Sequence, residues 1–226
     1  MNGNQLDLPL GLPTGGTAWD PAILGNVFEI NEQLLRYLAQ LALDEGRREH
    51  WPLLAQLQEQ WQGLGEEGRQ RLASCPYLLI DGGFADTQHW PAPTAPQVSD
   101  APAPAPRLFG AEAVPLIRRM LLLAWHMARA NRIAARVLLG MSGECADRLA
   151  SYKLHELELL AELRPDWIKP RWSERLCVWR QLLLAARTEE PAELRRAQLR
   201  GVQLLASQLL LPGQERAAAV PRARRA

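Results

Sequence analysis

The sequence predicts an all-α protein in which two helical blocks are joined by a Pro- and Ala-rich linker. Leu, Ala, Arg, Gln and Glu dominate its 226 residues, whereas the β-branched and aromatic residues that favour strands are scarce. Apolar residues recur at helical spacing along most of the chain. Proline at every second or third position of PAPTAPQVSDAPAPAP forbids a helix there and favours an extended spacer.

These patterns divide the chain into five regions. A flexible N-terminus (1–18) precedes an acidic helical domain (19–90). The Pro-rich linker (91–107) then leads to a second helical domain (108–212) and a basic tail (213–226), which we expect to be disordered. Because hydrophobic residues make up 47% of the composition, the chain can form a sizeable core.

The first block is predicted to contain three helices. Asp20 and Pro21 suit the N-cap and first turn of the first helix, which weakens at Gly46. A second helix is expected over 51–61 and a third over 66–74. The first helix has an apolar stripe formed by Leu24, Val27, Phe28, Leu34, Leu35, Leu38, Leu41 and Ala42.

A short apolar segment, CPYLLIDGGF, follows at 75–84. Periodicity does not distinguish a buried extended piece from a turn of helix in so short a run, so both interpretations stay open. Asp81 and the two glycines after it predict a simple turn rather than a ligand-binding loop.

The second block is predicted to begin with one long, uninterrupted helix over 116–139. Its apolar residues share a broad face, and its many alanines would let another helix approach closely. Gly140 is expected to end this helix and Ser142 to cap the next one. Further helices are expected over 144–150, 154–163, 172–187 and 192–211.

The residue types do not form any recognisable catalytic or metal site. The three cysteines lie far apart without zinc-ligand spacing, and their small, odd number suits a reducing cytoplasm. No histidine has a catalytic partner at a suitable spacing, and there is no Walker loop, nucleophile elbow or HExxH sequence. We therefore expect a non-enzymatic protein with no cofactor, metal or small-molecule substrate.

The chain also lacks the sequence features of membrane proteins. Its N-terminus has no basic region followed by an apolar one, and it contains no run of about 18 apolar residues. We expect a cytoplasmic protein without membrane contact.

The two halves of the chain differ in charge. Residues 1–110 carry a net charge of −7 and residues 111–226 a net charge of +8. A basic half can hold an anionic partner such as DNA, but it can equally dock against the acidic half of the same chain. The sequence leaves both interpretations open.

The last two predicted helices carry the candidates for contact with DNA phosphates, which are Arg187, Arg195, Arg196 and Arg200. The last three fall on one side of their helix, where a solvated basic face is the alternative.

The connection between the predicted helices over 142–150 and 154–163 has the length found in helix-turn-helix motifs. However, the second of them, LHELELLAEL, is acidic and lacks side chains that read base edges, so we do not expect it to enter a DNA groove.

Trp167 and Trp172 flank a proline-bounded connection, where an exposed aromatic side chain can contact a partner. They are the candidate residues for binding a second protein. Packing in the core is the alternative, as for most of the eight tryptophans.

The stretch LAWHMARANRIAARVLLGMSGECADRLASYKLHELELLAE, at 123–162, resembles the D subunit of the bacterial flagellar master activator, FlhD. The shared pattern is a helix with small residues, a stop at Leu139-Gly140-Met141-Ser142, a capped short helix and the ending Leu160-Ala161-Glu162. The order and length of the helices are similar over roughly residues 115–211. Residues 1–110 of this chain have no counterpart in the family. The cysteine that links subunits in some members of the family has no counterpart in this chain.

The resemblance implies a homodimer built on the helix over 116–139. It also implies a zinc-bearing second activator subunit that supplies most of the DNA affinity, and activation of promoters for flagellum biogenesis through RNA polymerase. The dimer interface would then consist of Leu123, Ala124, Met127, Ala128, Ala130, Ala134 and Val137.

We therefore expect a transcriptional regulator that acts as a dimer within a multi-subunit DNA-binding complex. A non-enzymatic adaptor or chaperone for a motility or secretion apparatus is the alternative function.

Overall fold

The computed structural model describes residues 21–90, 107–163, 167–188 and 190–210. These residues are mostly helical and contain one small two-stranded sheet, which confirms the predicted all-α class. The predicted N-terminal region, most of the predicted linker and the predicted tail lie outside the described residues.

The first half consists of helices with one short strand. Its elements are α1 (Pro21–Leu43), α2 (Glu45–Arg48), α3 (Pro52–Ala55), α4 (Gln58–Gln62), α5 (Glu66–Ala73), β1 (Ile80–Asp81) and a 3-10 helix (Thr87–His89). The predicted first and third helices are confirmed, and the apolar stripe of the first is buried or partly buried. The single helix predicted over 51–61 is wrong, because Leu57 leaves helical geometry (φ −114°, ψ 23°) between α3 and α4.

The second half begins with a 3-10 helix (Ala111–Ala113). It continues with α6 (Val114–Ala130), α7 (Arg132–Leu139), α8 (Gly143–Ala150), α9 (Leu154–Leu163), β2 (Lys169–Pro170), α10 (Leu176–Arg187) and α11 (Pro191–Leu210). The helix predicted over 172–187 starts later than expected. Trp172 has a positive φ of 55° and belongs to the turn before α10.

The long helix predicted over 116–139 is interrupted at Asn131, which has φ −150° and ψ 84°. The backbone N–H of Asn131 still donates to the carbonyl of Met127 at 2.8 Å and closes α6. Its side-chain oxygen accepts from the N–H of Ala134 at 2.9 Å and caps α7. An asparagine that serves both helix ends in this way explains a break that apolar periodicity does not reveal.

The predicted stop after α7 and the cap of α8 are both confirmed. Gly140 adopts the left-handed conformation with φ 64°, which an L side chain rarely adopts. The hydroxyl of Ser142 accepts from the N–H of Cys145 at 3.1 Å and begins α8.

The two predicted domains, 19–90 and 108–212, share one hydrophobic core in the structure. α1 packs against both α5 and α6, and α10 packs against α3, α4 and α5. β1 pairs with β2 in antiparallel register, Ile80 opposite Pro170. The prediction of two separate domains is therefore wrong for the described residues, because each half supplies part of the apolar surface that the other buries.

The segment 75–84, which we call the buried connector, runs through this core as irregular, bent backbone, apart from the short strand β1. Asn31 of α1 is fully buried beside it, and its side-chain nitrogen donates to the carbonyls of Ala73, Cys75 and Tyr77. Its side-chain oxygen accepts from the N–H of Leu79 at 2.8 Å. The amide side chain of Asn31 therefore forms hydrogen bonds with buried backbone groups that are not paired within a helix or a sheet.

Arg171 fixes the other side of the buried connector. Its side chain is 2% exposed, and its Nε donates to the carbonyl of Leu78 at 2.7 Å. Nη2 donates to the carbonyl of Leu139 at 2.8 Å and lies 3.9 Å from a carboxylate oxygen of Asp81. Burial lowers the pKa of the Arg171 guanidinium, and the charge of Asp81 opposes that shift.

Candidate anion-binding surface

Among the residues that the structure describes, no group of three or more His, Cys, Asp or Glu side chains could hold a metal ion. None of the helices formed by these residues is long and apolar enough to cross a membrane. Burial raises the pKa of the Cys75 thiol to about 12 and also raises that of Cys145, which keeps both thiols protonated and poorly nucleophilic.

The most distinctive surface lies on the outer side of α10 and α11, which pack against each other. Four arginines are exposed there, and we call them the arginine face: Arg180, Arg195, Arg196 and Arg200. None of them forms an ion pair with any residue that the structure describes. Arg200 instead donates to the side-chain oxygen of Gln181 at 2.7 Å, which links the two helices at the surface.

Several arginines elsewhere in the chain differ in this respect. Ion pairs join Arg36 to Glu32, Arg47 to Glu112, Arg118 to Glu162, Arg119 to Glu29 and Arg132 to Asp147. The described acidic residues of the α10–α11 pair are confined to the start of α11, at positions 190 and 193. The arginine face therefore presents positive charge that the described part of the protein does not neutralise.

The inner side of α11 determines which residues face outward. Leu194, Ala197, Gly201 and Leu205 recur at helical spacing and are buried, so the positions between them point to solvent. Gly201 allows an especially close approach, because a Cβ atom there would lie 2.0 Å from the hydroxyl oxygen of Tyr77. The contact with the buried connector thus fixes the rotation of α11.

A groove of about 260 Å³ separates the outer edges of α10 and α11. Aliphatic side chains line its floor, and polar groups line its rim. The lining residues are Val178, Gln181, Ala197, Arg200, Gln203, Leu204 and Ser207. The arrangement can hold an extended anionic molecule along the helices, with arginine and glutamine as hydrogen-bond donors.

Three of the four predicted DNA-phosphate candidates lie on the same helix, and the fourth lies elsewhere. Arg195, Arg196 and Arg200 lie on the exposed side of α11, whereas the guanidinium of Arg187 lies against Gly63. A Cβ atom at Gly63 would lie 2.6 Å from Cζ of Arg187. Sequence reasoning missed Arg180, although the spacing of the buried residues of α10 places it on the outer side. Contact with DNA stays a prediction for all of them.

Most of the predicted dimer interface is already covered within the chain. α8 and α9 pack along α6, and α7 packs against α8 and α11. Five residues of the predicted interface are buried there: Leu123, Ala124, Met127, Ala128 and Ala134. Their assignment to a surface between two copies is therefore wrong. Ala130 and Val137 are exposed, so the structure leaves only these two available to a second chain.

The two tryptophans predicted to bind a partner are packed inside the molecule. Trp172 is 7% exposed, and its ring meets that of Tyr77 edge-on at 5.6 Å between centroids. Trp167 is half-buried against His89 and Trp90. The partner-binding prediction is wrong for Trp172, whose ring is not accessible, and Trp167 offers only part of its surface.

The helix-turn-helix-like pair α8–α9 has an outer surface unsuited to reading bases. α9 exposes Leu154, His155, Glu158, Leu159, Glu162 and Leu163. Carboxylates repel DNA phosphates. A leucine side chain can contact the methyl group of thymine, but it cannot form hydrogen bonds with base edges. That α9 does not enter a DNA groove stays a prediction.

Comparison with known proteins found no matching family model, curated protein or solved structure.

Proposed function

We propose that this protein is a non-enzymatic regulator of transcription that contacts nucleic-acid phosphates through the arginine face. The observation that supports this proposal is the set of four exposed arginines without acidic partners among the described residues. A planar guanidinium donates two parallel hydrogen bonds to a phosphate, so such a cluster suits a polyanion. The zinc-bearing partner subunit and the flagellar promoters remain part of the proposal only through the resemblance to FlhD.

Phosphate contacts position a protein on DNA but do not carry sequence information. Besides its arginines, the surface offers the side-chain amides of Gln181 and Gln203 as groups for base edges. We propose that a partner subunit supplies sequence selection and most of the affinity, and that this chain adds phosphate contacts that do not depend on sequence. Binding by the isolated chain should be weak, with a dissociation constant on the order of 10⁻⁴ to 10⁻⁶ M at physiological salt.

The direct test is the salt dependence of binding to fluorescent duplex DNA, measured by anisotropy. If four phosphates are neutralised, the logarithm of the association constant should fall with that of salt with a slope of about −3.6. The double variant Arg196→Glu with Arg200→Glu should lose affinity by more than about tenfold and show a shallower slope.

The control is Arg36→Glu, which reverses one charge at an exposed position of α1, where Arg36 pairs with Glu32. It should leave binding within about twofold of the wild type, since the general field is screened over about 10 Å. Equal losses from the control and the double variant, or tight binding that ignores salt, would contradict the proposal.

A second candidate function is an adaptor for a protein client, and two leucines within the same surface favour it. Leu184 and Leu199 are 44% and 53% exposed on the outer sides of α10 and α11. Exposed leucines among arginines suit an acidic amphipathic segment, because such a segment offers both apolar and negatively charged groups. Affinity purification from the native cell separates the two functions. RNA polymerase or an activator subunit supports the regulator, and components of a secretion or motility apparatus support the adaptor.

A further inference from the structure

A basic, apolar surface is exposed on α7. Ile133 and Val137 stand one turn apart and are 65% and 45% exposed. Arg132 and Arg136 flank them, and no acidic residue occurs between positions 129 and 139. We call these four residues the α7 ridge.

A second apolar surface is exposed on α9, and the charged residues beside it are acidic. Leu159 and Leu163 are 40% and 46% exposed, and Glu158 and Glu162 flank them. α9 itself contains no lysine or arginine. We call these four residues the α9 face.

The two surfaces lie at opposite ends of α6. Trp125 donates to the carbonyl of Tyr152, just before α9, and Arg118 pairs with Glu162 near its end, so α9 runs antiparallel along α6. α7 follows directly beyond the other end of α6, after Ala130. Neither surface is covered by described residues of its own chain, although each carries the charge that would neutralise the other.

We propose that a second copy of this chain covers both surfaces, with the α7 ridge of each copy packed on the α9 face of the other. A two-fold axis pairs two different surfaces reciprocally, because a residue of the first surface on one copy then contacts the second surface of the other copy, and the reverse. Leucine, isoleucine and valine side chains then meet at the centre, and arginines and glutamates face each other at the edge.

Charge complementarity and length support this choice of partner. Arg132 pairs with Asp147 and Glu162 with Arg118 within the chain. Arg136 and Glu158 lack such partners among the described residues, so they are available to pair between copies. α7 and α9 are about 12 and 15 Å long. A stable interface buries about 1,200 Å² or more, and reciprocal pairing supplies two such helix contacts instead of one.

This interface differs from the dimer predicted on the buried side of α6, and it is independent of phosphate binding by the arginine face. Its test uses the full chain in sedimentation equilibrium with two charge reversals, Arg136→Glu and Glu158→Arg. In a homodimer of either variant, both contacts place like charges together. Each should raise the dimer dissociation constant at least about tenfold.

Mixing the two variants in equal amounts provides the decisive measurement. In the mixed dimer, each contact again joins one glutamate to one arginine, so dimers should reappear with nearly wild-type affinity. Leu159→Ser supplies a second, uncharged variant that should also weaken association. Folding of every variant is checked by circular dichroism, and all three positions are exposed.

Arg196→Glu is the control that separates this proposal from the proposed function. It should reduce DNA binding while leaving dimerisation unchanged. A wild-type protein that stays monomeric up to about 1 mM would overturn the inference. So would single variants that dimerise normally, or a mixture that fails to restore the dimer.

Discussion

Arginine serves opposite purposes in two regions of this protein. Around the buried connector, Arg171 is almost inaccessible, and its guanidinium donates to three backbone carbonyls, two in the connector itself and one at the end of α7. On the outer side of α11, Arg196 and Arg200 are exposed and have no acidic partner among the described residues. The first region uses charge-assisted hydrogen bonds to hold irregular backbone in place. The second leaves its hydrogen-bonding capacity for another molecule.

This contrast separates stability from binding. A buried polar group must be satisfied, so its removal leaves several backbone partners without a hydrogen bond. An exposed arginine is hydrated in both the folded and the unfolded states, so it contributes little to folding. Substitutions in the two regions should therefore change different measurable quantities.

The largest effect is expected for Arg171→Leu. The change leaves the carbonyls of Leu78 and Leu139 without their donors and Asp81 without its nearest positive charge. We expect a loss of about 3–5 kcal/mol in the free energy of unfolding, measured by urea denaturation followed by circular dichroism. A loss below about 1 kcal/mol would show that water or rearranged backbone replaces the guanidinium.

A smaller loss, about 2–3 kcal/mol, is expected for Asn31→Leu, since the N–H of Leu79 and three carbonyls lose their buried partner. Gln33→Leu on the same helix is the matched control, because Gln33 bonds only to the exposed Glu29. The control should change stability by less than about 0.5 kcal/mol. Similar losses from both variants would mean that α1, rather than the connector, is sensitive to the substitution.

Gly201→Ala should destabilise the protein by about 1–3 kcal/mol, because the new methyl group would lie 2.0 Å from the hydroxyl oxygen of Tyr77. Tyr77→Phe removes that oxygen, whose hydroxyl is buried without a hydrogen-bond partner. Thermal denaturation of both single variants and the double variant measures the coupling between them. If the loss in the double variant equals the sum of the two single losses, α11 does not depend on this contact.

The smallest change in stability is expected from Arg196→Ala combined with Arg200→Ala. Neither side chain is buried or ion-paired with described residues, so the free energy of unfolding should move by less than about 0.5 kcal/mol. DNA affinity measured on the same preparations should fall severalfold. A stability loss comparable to that of Asn31→Leu would remove the distinction between the two regions.

Several local features could be predicted from the sequence because short-range physics decides them. Gly140 and Ser142 end and begin helices through their own backbone and side-chain geometry. The spacing of Arg195, Arg196 and Arg200 already placed them on one side of a helix. The break at Asn131 was missed, because apolar residues continue with nearly unchanged period on both sides of it.

The tertiary structure alone decided what each apolar face packs against. The alanine-rich side of α6 signalled a close helix neighbour, but α8 and α9 of the same chain occupy it rather than a second copy. It also decided that Arg171 and Asn31 are buried, since their partners lie far away in sequence. The amino-acid pattern determined which sides of the helices avoid water. Which surface meets which depends on three-dimensional contacts between distant segments, and periodicity along one helix carries no information about them.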